Sequence, residues 1–147
     1  MIEIKKIDIK EYGKQLIVLS KLWAEEDITN GLIPNKLSDL KEPCIAAFDG
    51  DKVIGYIFGH FYTADKKINT IEPGSKCFEV DEIYVLKQYR NHSIGGKLFK
   101  AMEEEVKKEA AYITLPTSTK DYQKILKFYI EMMDMTFHSA FLYKKTK

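Results

Sequence analysis

Residues 85–98 read Val85-Leu86-Lys87-Gln88-Tyr89-Arg90-Asn91-His92-Ser93-Ile94-Gly95-Gly96-Lys97-Leu98, and this is the most informative segment of the chain. An apolar run ends at Leu86, a short basic loop follows, and a helix then begins among small residues. Such a helix start presents unpaired backbone N–H groups and the positive end of the helix dipole, which suits a phosphate or pyrophosphate. Gly95 and Gly96 leave room for a close approach, while Arg90 and Lys97 add mobile positive charge. The spacing alone leaves two interpretations open, a phosphate site and tight packing of the helix against a strand.

Outward from this stretch, hydrophobic periodicity predicts the remaining elements. Strands are predicted at residues 2–9, 44–48, 53–62, 78–86, 112–115 and 135–143, and helices at residues 12–23, 32–40, 94–109 and 122–133. The Asp49-Gly50 step favours a hairpin between the second and third strands, and the polar residues 63–76 are expected to form an exposed loop. The order predicts an α/β fold with a mixed sheet flanked by helices, in which the strands at 78–86 and 112–115 form a parallel pair.

Length and composition bound the class of protein. A chain of 147 residues with 45% hydrophobic and 31% charged residues is typical of one soluble globular domain, here residues 1–147. The net charge of +1 predicts neither nucleic acid nor an anionic membrane as a partner. The N-terminal residues contain no apolar run long enough for a signal peptide or a membrane span, so we expect a cytoplasmic protein.

The spacing of cysteines and histidines predicts no metal site. Cys44 and Cys77 form no metal-binding pair and are expected to be reduced, partly buried thiols. His60, His92 and His138 lie far apart in the sequence and indicate no metal cluster. We therefore expect that the protein binds no metal.

The central stretch resembles a known family. The pattern Arg90-x-x-Ser93-x-Gly95-Gly96 is similar to the acyl-CoA loop of the GNAT N-acetyltransferases, which usually reads Arg/Gln-x-x-Gly-x-Gly/Ala. The run Asp81-Glu82-Ile83-Tyr84-Val85 resembles the central strand of that family. Downstream, Phe128-Tyr129-Ile130-Glu131-Met132-Met133-Asp134-Met135 resembles its Phe-Tyr-x-x-x-Gly-Phe segment.

Two residues depart from the pattern of the family. Ser93 stands where a glycine is usual, and a positive φ at this position would cost a serine about 1–2 kcal/mol. Asp134 replaces the usual glycine after the last helix. Because aspartate tolerates the left-handed conformation better than most residues, we expect Asp134 to end that helix.

The resemblance implies how acetyl-CoA would bind. In the family, two neighbouring parallel strands splay apart and hold the pantetheine arm between them; here these are the strands at 78–86 and 112–115. Backbone groups near residues 83–86 would polarise the thioester carbonyl, and the loop would hold the pyrophosphate. The residues implied as cofactor contacts are Ile83, Tyr84, Val85, Arg90, Asn91, His92, Ser93, Ile94, Gly95, Gly96, Lys97, Tyr122 and Phe128.

The implied reaction, direct attack of an amine on the thioester, needs two proton transfers. An alkyl amine with a pKa of about 10 must lose a proton before it attacks, and a carboxylate can accept it, usually through water. The candidates are Asp81, then Glu79, then Glu82; strand alternation places Glu79 and Asp81 on one face and Glu82 on the other. By the resemblance, Tyr129 protonates the departing thiolate, although it also lies on an apolar helical stripe typical of a core residue.

The acceptor is predicted only as a class, an amine-bearing small molecule or a peptide. In the family the first helices line the acceptor groove, so the resemblance implies Trp23, Glu26 and Asp27 as substrate contacts. The acidic run at residues 25–27 suits a cationic amine, but the pattern alone favours a solvated helix end. Domains of this family are often dimers, so the resemblance leaves a homodimer open.

Two alternatives compete with an enzyme of this family. One is a degenerate GNAT-like domain that senses acyl-CoA without turnover, and Ser93 and Asp134 keep that alternative open. The other is a flavodoxin-like or different nucleotide-binding domain. The Asp49-Gly50 hairpin disfavours it, because doubly wound folds need a helix between successive parallel strands.

Overall fold

The computed structural model describes residues 1–65 and 70–147. Its strands are β1 (Ile2–Ile7), β2 (Cys44–Asp49), β3 (Lys52–Thr63), β4 (Lys76–Val85) and β5 (Tyr112–Thr114). Its helices are α1 (Ile9–Glu26), α2 (Ile94–Val106) and α3 (Tyr122–Lys127), and α3 continues directly into a π-helix at Phe128–Met132. Short 3-10 turns lie at Leu37–Asp39 and Lys87–Tyr89.

The five strands form one sheet in the order β1-β2-β3-β4-β5. The first three strand pairs are antiparallel, and β2 and β3 form the predicted hairpin, with Gly50 at a φ of 62°. β4 and β5 run parallel and are connected through α2, as the sequence predicted. The mixed sheet and its flanking helices confirm the predicted fold class.

β4 and β5 pair over a short distance only. The paired residues are Cys77 with Tyr112, Phe78 with Ile113, and Glu79 with Thr114. β4 then continues to Val85, and among the described residues no strand pairs with it on that side. The two strands therefore open a wedge along residues 80–85 of β4, where one backbone edge has no ladder.

Helices α1 and α2 cover opposite faces of this sheet. On β3, a side chain at Gly55 would meet Leu98 of α2. The neighbouring Tyr56 ring instead lies 6.3 Å from that of Tyr84, which stacks on Trp23 of α1 at 5.1 Å. Because successive strand residues point to opposite faces, the two helices lie on opposite sides of the sheet. Buried side chains of both helices belong to the core: Leu16, Leu19, Leu98, Phe99, Met102 and Val106.

A β-bulge interrupts the ladder between β3 and β4. Phe58 pairs with Glu82, whereas the next residue, Gly59, pairs with Val80, so Asp81 is an extra residue in β4. The extra residue breaks the strict alternation of side chains along the strand. Asp81 and Glu82 are therefore not required to point to opposite faces.

The helix predicted at residues 32–40 is reduced to the 3-10 turn Leu37–Asp39. The segment before this turn is held against α1, because the Asn35 N–H donates to Ser20 Oγ at 3.0 Å. Both residues are buried. This tertiary contact, with Pro34 beside it, replaces the intrahelical hydrogen bonds that the prediction assumed.

The strand predicted at residues 135–143 is wrong. No described strand pairs with this C-terminal segment, and its large side chains face solvent, with Phe141 90% and Leu142 88% exposed. An alternating pattern supplies strand-like side chains, but a strand also needs a neighbouring edge for its backbone. The preceding helical segment ends at Asp134, whose φ of 59° confirms the expected left-handed helix end.

Both cysteines, Cys44 and Cys77, are free, as expected, and both are fully buried rather than partly buried. The loop predicted at residues 63–76 includes residues 66–69, which lie outside the described residues. On its described flanks, Ala64 is buried and its carbonyl accepts the Gly74 N–H at 2.9 Å. No helix in the described part of the chain is long and apolar enough to cross a membrane.

Candidate active site

The turn that opens α2, residues 91–97, exposes backbone N–H groups (the α2 turn). Ser93 caps the helix at φ 62° and ψ 16° without a side-chain hydrogen bond, so the left-handed conformation considered for this residue is present. The Lys97 N–H donates to the Ser93 carbonyl at 3.1 Å and begins the helical ladder. The amides of residues 94–96 precede that ladder, and together with the helix dipole they form a surface suited to an anion.

The two glycines of the α2 turn have different surroundings. A Cβ at Gly96 would lie 3.3 Å from Met133 Cε and 3.8 Å from the Phe128 ring, so this glycine allows α2 and the π-helix to pack. A Cβ at Gly95 would meet nothing within 4 Å. Tight packing therefore explains Gly96 alone, and the open space at Gly95 favours the phosphate interpretation of the turn.

Arg90 holds the loop after β4 in place. It is not the mobile positive charge that the sequence suggested. Its guanidinium donates to both oxygens of Glu26, at 2.7 and 2.6 Å, and its Nε donates to the Val85 carbonyl at 2.9 Å. The same group lies 5.4 Å from the centre of the Tyr84 ring. The side chain thus fixes the end of β4 against α1. Three other cofactor candidates of the turn, Asn91, His92 and Lys97, are exposed.

Glu26 is kept ionised by these contacts. Burial raises the pKa of its carboxyl, but hydrogen bonds from Arg90 and Tyr84 outweigh burial and bring the pKa below its usual value. The Tyr84 hydroxyl donates to Glu26 at 2.5 Å, and burial together with that carboxylate raises the pKa of Tyr84. The end of α1, β4 and the loop before the α2 turn therefore share one charged network.

On β4, the acidic side chains gather on the α1 side of the sheet. The Tyr56 hydroxyl donates to Glu82 at 2.7 Å, and His60, which lies on the same face of β3, contacts Asp81. His60 also stands opposite Glu79 in the ladder. The expectation that Glu82 points away from Asp81 is therefore wrong, and the bulge at Asp81 is the reason.

Within this acidic face, the Asp81 carboxylate contacts two side chains, an imidazole and an ammonium group. Its oxygens lie 2.9 and 3.0 Å from His60 Nδ1, and its Oδ2 accepts the Lys41 ammonium at 3.0 Å. Sequence reasoning compared His60 only with the other two histidines, which lie far from it in the sequence, and it did not consider Asp81, 21 residues away. The signal that finds the pair is an antiparallel alignment of the two successive strand-like runs, which brings His60 beside the acidic part of β4.

Glu82 is the most interior of the three carboxylates. Its Oε1 accepts hydrogen bonds from Tyr56 at 2.7 Å and from the Asn35 amide at 2.8 Å. Burial raises the pKa of Glu82, and these two hydrogen bonds only partly offset that rise. Its Oε1 is thus already hydrogen-bonded within the protein, which favours Asp81 or Glu79 over Glu82 as a proton acceptor for a ligand.

The donor atoms of His60, Glu79 and Asp81 lie within 4.8 Å of one another. Three such donors can bind a metal ion in other proteins. Here the Lys41 ammonium already neutralises Asp81, and Asp81 in turn occupies His60 Nδ1. The arrangement is therefore that of an ion-paired cluster, and the expectation of a protein without metal stays a prediction.

Tyr129 lies in the π-helix that packs against α2. Its ring is 5.0 Å from that of Phe128 and 5.9 Å from that of Phe99, and only 7% of the residue is exposed. Burial raises the pKa of Tyr129 to about 12. The phenol therefore remains protonated at neutral pH and is able to donate a proton. Tyr122, predicted as a cofactor contact, is 60% exposed at the start of α3.

The residues predicted to contact the acceptor all have structural partners. Trp23 stacks on Tyr84 and donates its indole N–H to Thr29 at 3.0 Å. Asp27 ends α1 at φ 55° and pairs with Lys120 at 2.9 Å. With Glu26 bound to Arg90, each of the three helps to fix the end of α1, and their contact with a substrate stays a prediction.

A cleft of about 790 Å³ lies beside this end of α1. Its walls include the acidic residues Glu25 and Glu26 and the basic residues Lys52 and Lys87. The mixed charge does not favour a cationic amine over other ligands.

Solved structures similar to this chain include N-acetyltransferases. The aminoglycoside acetyltransferase meta-AAC0020 from an uncultured soil metagenomic sample shares 17% identity, with a TM-score of 0.70 over 99% of this chain and 97% of that chain. The aminoglycoside N-acetyltransferase AAC(6')-Iy in complex with CoA shares 17% identity, with a TM-score of 0.70 over 99% and 100%. The ribosomal-protein-alanine N-acetyltransferase from Brucella melitensis biovar Abortus 2308 shares 14% identity, with a TM-score of 0.68 over 99% of both chains.

The sequence profile of the acetyltransferase (GNAT) family matches residues 4–133, and the chain belongs to that family. No curated protein matches the sequence. Membership of the family makes the chain an N-acetyltransferase enzyme, and acetyltransferases of this family use acetyl-CoA as the acyl donor.

Proposed function

We propose that this enzyme transfers the acetyl group of acetyl-CoA to an amine of a small molecule or a peptide, by direct attack of the amine on the thioester. The observation that carries the proposal is the wedge between β4 and β5, whose open end at Val85 leads into the α2 turn. A donor with a diphosphate at one end and a thioester at the other fits this path. Its phosphates meet the amides of the turn while its arm lies along β4.

The residues along the wedge fit such a donor. Gly95 leaves space beside the amides of residues 94–96, and the unpaired edge of β4 near residues 83–85 offers N–H and C=O groups to the pantetheine arm. A backbone N–H on that edge stabilises the negative charge that develops on the thioester oxygen. Acetyl-CoA supplies the activated acyl group, and the protein supplies the position and the proton transfers.

For the incoming amine, we assign the role of proton acceptor to His60, positioned by Asp81. With Nδ1 donating to the Asp81 carboxylate, the neutral ring carries its lone pair on Nε2 and accepts a proton there, directly or through one water. Lys41 holds the carboxylate from the other side. Asp81 lies two residues before Ile83, about 7 Å along the strand, so the pair is close to the expected thioester.

For the departing CoA thiolate, Tyr129 is the proposed proton donor. Its raised pKa keeps the phenol protonated at the pH at which the amine is attacked. Its position beside Gly96 and the α2 turn, through Phe128, brings it to the side of the wedge opposite the acidic face. The two proton transfers are thereby assigned to different elements.

The first test measures binding and turnover separately. Thermal shifts are recorded with CoA, acetyl-CoA and an unrelated nucleotide, and thiol release is then followed across a library of amines. A ligand at about 100 times its Kd stabilises the fold by about 2.7 kcal/mol, which is readily detected. Absence of a shift with either CoA compound would remove the proposed donor site, whereas binding without thiol release would remove only the transfer reaction.

The second test concerns the proton acceptor. His60→Gln should lower kcat/KM at neutral pH by about 100-fold, because general-base catalysis contributes on this scale, and acetyl-CoA affinity should be unchanged. The loss should shrink as the pH approaches about 10, where the free amine no longer needs a base. His138→Gln, an exposed histidine outside the site, serves as the control. A loss that stays constant across this pH range would assign His60 a structural role instead.

The alternative of a sensor without turnover depended on Ser93 and Asp134. Both residues adopt the left-handed conformation that the usual glycines would provide, with φ values of 62° and 59°. The α2 turn and the helix end therefore keep their geometry despite the substitutions, which favours the enzyme.

A further inference from the structure

The side chain of Lys41 places a primary amine beside the proposed proton acceptor. Its Nζ lies 3.0 Å from Asp81 Oδ2, and the other oxygen of the same carboxylate lies 2.9 Å from His60 Nδ1. An acceptor amine must come close to the same pair of residues in order to give up its proton. We propose that the enzyme acetylates its own Lys41 when no other acceptor is bound. This inference rests on the proposed function, because it uses the same acetyl donor and the same proton acceptor.

The backbone around Lys41 is anchored, whereas its side chain reaches into solvent. Leu40 is buried in the core, and Cys44, the first residue of β2, is buried as well. The Lys41 side chain between them is 48% exposed. An ion pair at this exposure holds a lysine only weakly, because water screens both charges. Nζ is therefore able to leave Asp81 while the backbone of Lys41 stays in place.

The proposed position of the thioester is close to this amine. The unpaired edge of β4 that offers its backbone to the donor includes Ile83, which lies two residues, or about 7 Å, beyond Asp81 along the strand. Rotation about the bonds of the four-carbon lysine stem moves Nζ over several ångströms, towards that edge. Because the amine is attached to the enzyme, the transfer needs no second molecule to bind and be oriented.

The transfer uses only groups that the proposed function already assigns. The Lys41 ammonium gives one proton to His60 Nε2, directly or through one water, and the neutral amine attacks the acetyl carbon. A bond forms between Nζ and that carbon, the bond from carbon to sulfur breaks, and the thiolate takes a proton from Tyr129. Nζ then loses its second proton. One of these two protons restores Tyr129, so the products are acetyl-lysine, CoA and one proton.

Lys41 differs from the other lysines in its ion-pair partner. In the part of the chain that the structure describes, no other lysine forms an ion pair with Asp81. Lys100, for comparison, is exposed on α2, the helix that covers the opposite face of the sheet. Acetylation removes the positive charge of a lysine. The modified enzyme would therefore keep the contact between His60 and Asp81 but lose the cation that neutralises the carboxylate.

The proposal is tested by incubating the purified chain with acetyl-CoA and no added amine, and by following each lysine with peptide mass spectrometry. Lys41 should be acetylated at least about 100-fold faster than Lys100, because general-base catalysis contributes on this scale. The rate should not depend on protein concentration, since amine and thioester belong to one complex. Lys41→Arg keeps a cation beside Asp81 and should abolish the fast acetylation. Lys100→Arg is the matched control and should leave the acetylation of Lys41 unchanged.

Two further variants connect the modification to the site. Gly95→Glu, which fills the space at the α2 turn, and His60→Gln should each slow acetylation of Lys41 by about 100-fold and leave that of Lys100 unchanged. Equal rates at Lys41 and Lys100, a rate that rises with protein concentration, or an undiminished rate in Gly95→Glu would each overturn the proposal. Thiol release with the amine library is measured in parallel. Turnover of an added amine without acetylation of Lys41 would overturn self-acetylation alone, whereas the absence of both reactions would also overturn the proposed function.

Discussion

The α2 turn and the acidic face of β4 belong to one strand–helix unit, yet they are built from different chemical groups. The turn offers backbone amides, and its key residue, Gly95, contributes space rather than a functional group. The acidic face depends on the side chains of His60, Asp81 and Glu82 and on their hydrogen bonds. Donor binding and proton transfer should therefore respond to different substitutions, and each can be tested without the other.

The largest expected effect comes from placing a side chain in the open space at Gly95 of the α2 turn. Gly95→Glu should weaken acetyl-CoA binding by more than about 100-fold, because a carboxylate would occupy the space in front of the amides and repel the phosphates. The fold should survive, since a side chain at this position meets nothing within 4 Å. Calorimetric titration gives the affinity. Lys100→Glu, at an exposed position one turn further along α2, is the control for charge. Retained affinity in Gly95→Glu would show that the turn does not hold the phosphates.

The next effect tests a side chain, the Tyr129 phenol, separately from the backbone amides of the α2 turn. Tyr129→Phe should lower kcat by about 100-fold and change the acetyl-CoA Kd little, because the variant removes only the phenolic proton. Tyr112→Phe, an exposed tyrosine on β5, is the matched control. Single-turnover measurements separate chemistry from product release. An equal loss of binding and kcat in Tyr129→Phe would instead indicate a packing role against Phe99 and Phe128.

A smaller effect concerns the ion pair of Glu26 and Arg90, which connects the end of α1 to the loop between β4 and the α2 turn. The pKa of Glu26 is lowered in the folded protein, so its contribution to stability is present at neutral pH and is lost as the pH falls below its usual value of 4.5. Glu26→Gln should lower the free energy of unfolding by about 2 kcal/mol at neutral pH. The difference from the native chain should shrink below pH 4.5, as measured by urea denaturation at several pH values. Glu25→Gln, its exposed neighbour, should show neither change, and a gap that widens in acid would contradict the assignment.

The smallest effect is a gain in stability. Ser93→Gly should raise the free energy of unfolding by about 1 kcal/mol, because glycine accepts a φ of 62° without the steric cost that serine carries. The melting temperature should then rise by about 3 °C. Ser93→Ala keeps the steric cost and should give no gain. If both variants stabilise equally, the serine hydroxyl rather than the backbone is responsible.

Local pattern predicted most of the fold because most of its elements are specified locally. The Asp49-Gly50 hairpin and α2 follow from periodicity and turn residues within a few positions of one another, and the parallel pair of β4 and β5 follows from the helix that connects the two strands. Ser93 and Asp134 followed in the same way from the resemblance, since a left-handed residue is a property of the backbone at one position.

Features that depend on distant residues were missed for a common reason. The face of Glu82 depends on a bulge that appears only when β3 is aligned with β4, and the partner of Asp81 lies on that same neighbouring strand. The contact between Arg90 and Glu26 joins residues 64 positions apart. The C-terminal segment has the alternation of a strand, but it pairs with no strand in the described part of the chain. Sequence patterns describe a side chain's preferences, whereas these features need a partner.

Because of the wedge, the backbone amides of β4 are of two kinds. The amides that face β3 are hydrogen-bonded in a ladder, while those on the opposite edge at residues 80–85 have no ladder partner among the described strands. Alternate residues of one strand should therefore exchange at very different rates in the free enzyme. A ligand bound in the wedge would slow exchange only of the amides on the unpaired edge. Mass spectrometry of one peptide from β4 would therefore report the fraction of enzyme that holds a ligand, without an assay of turnover.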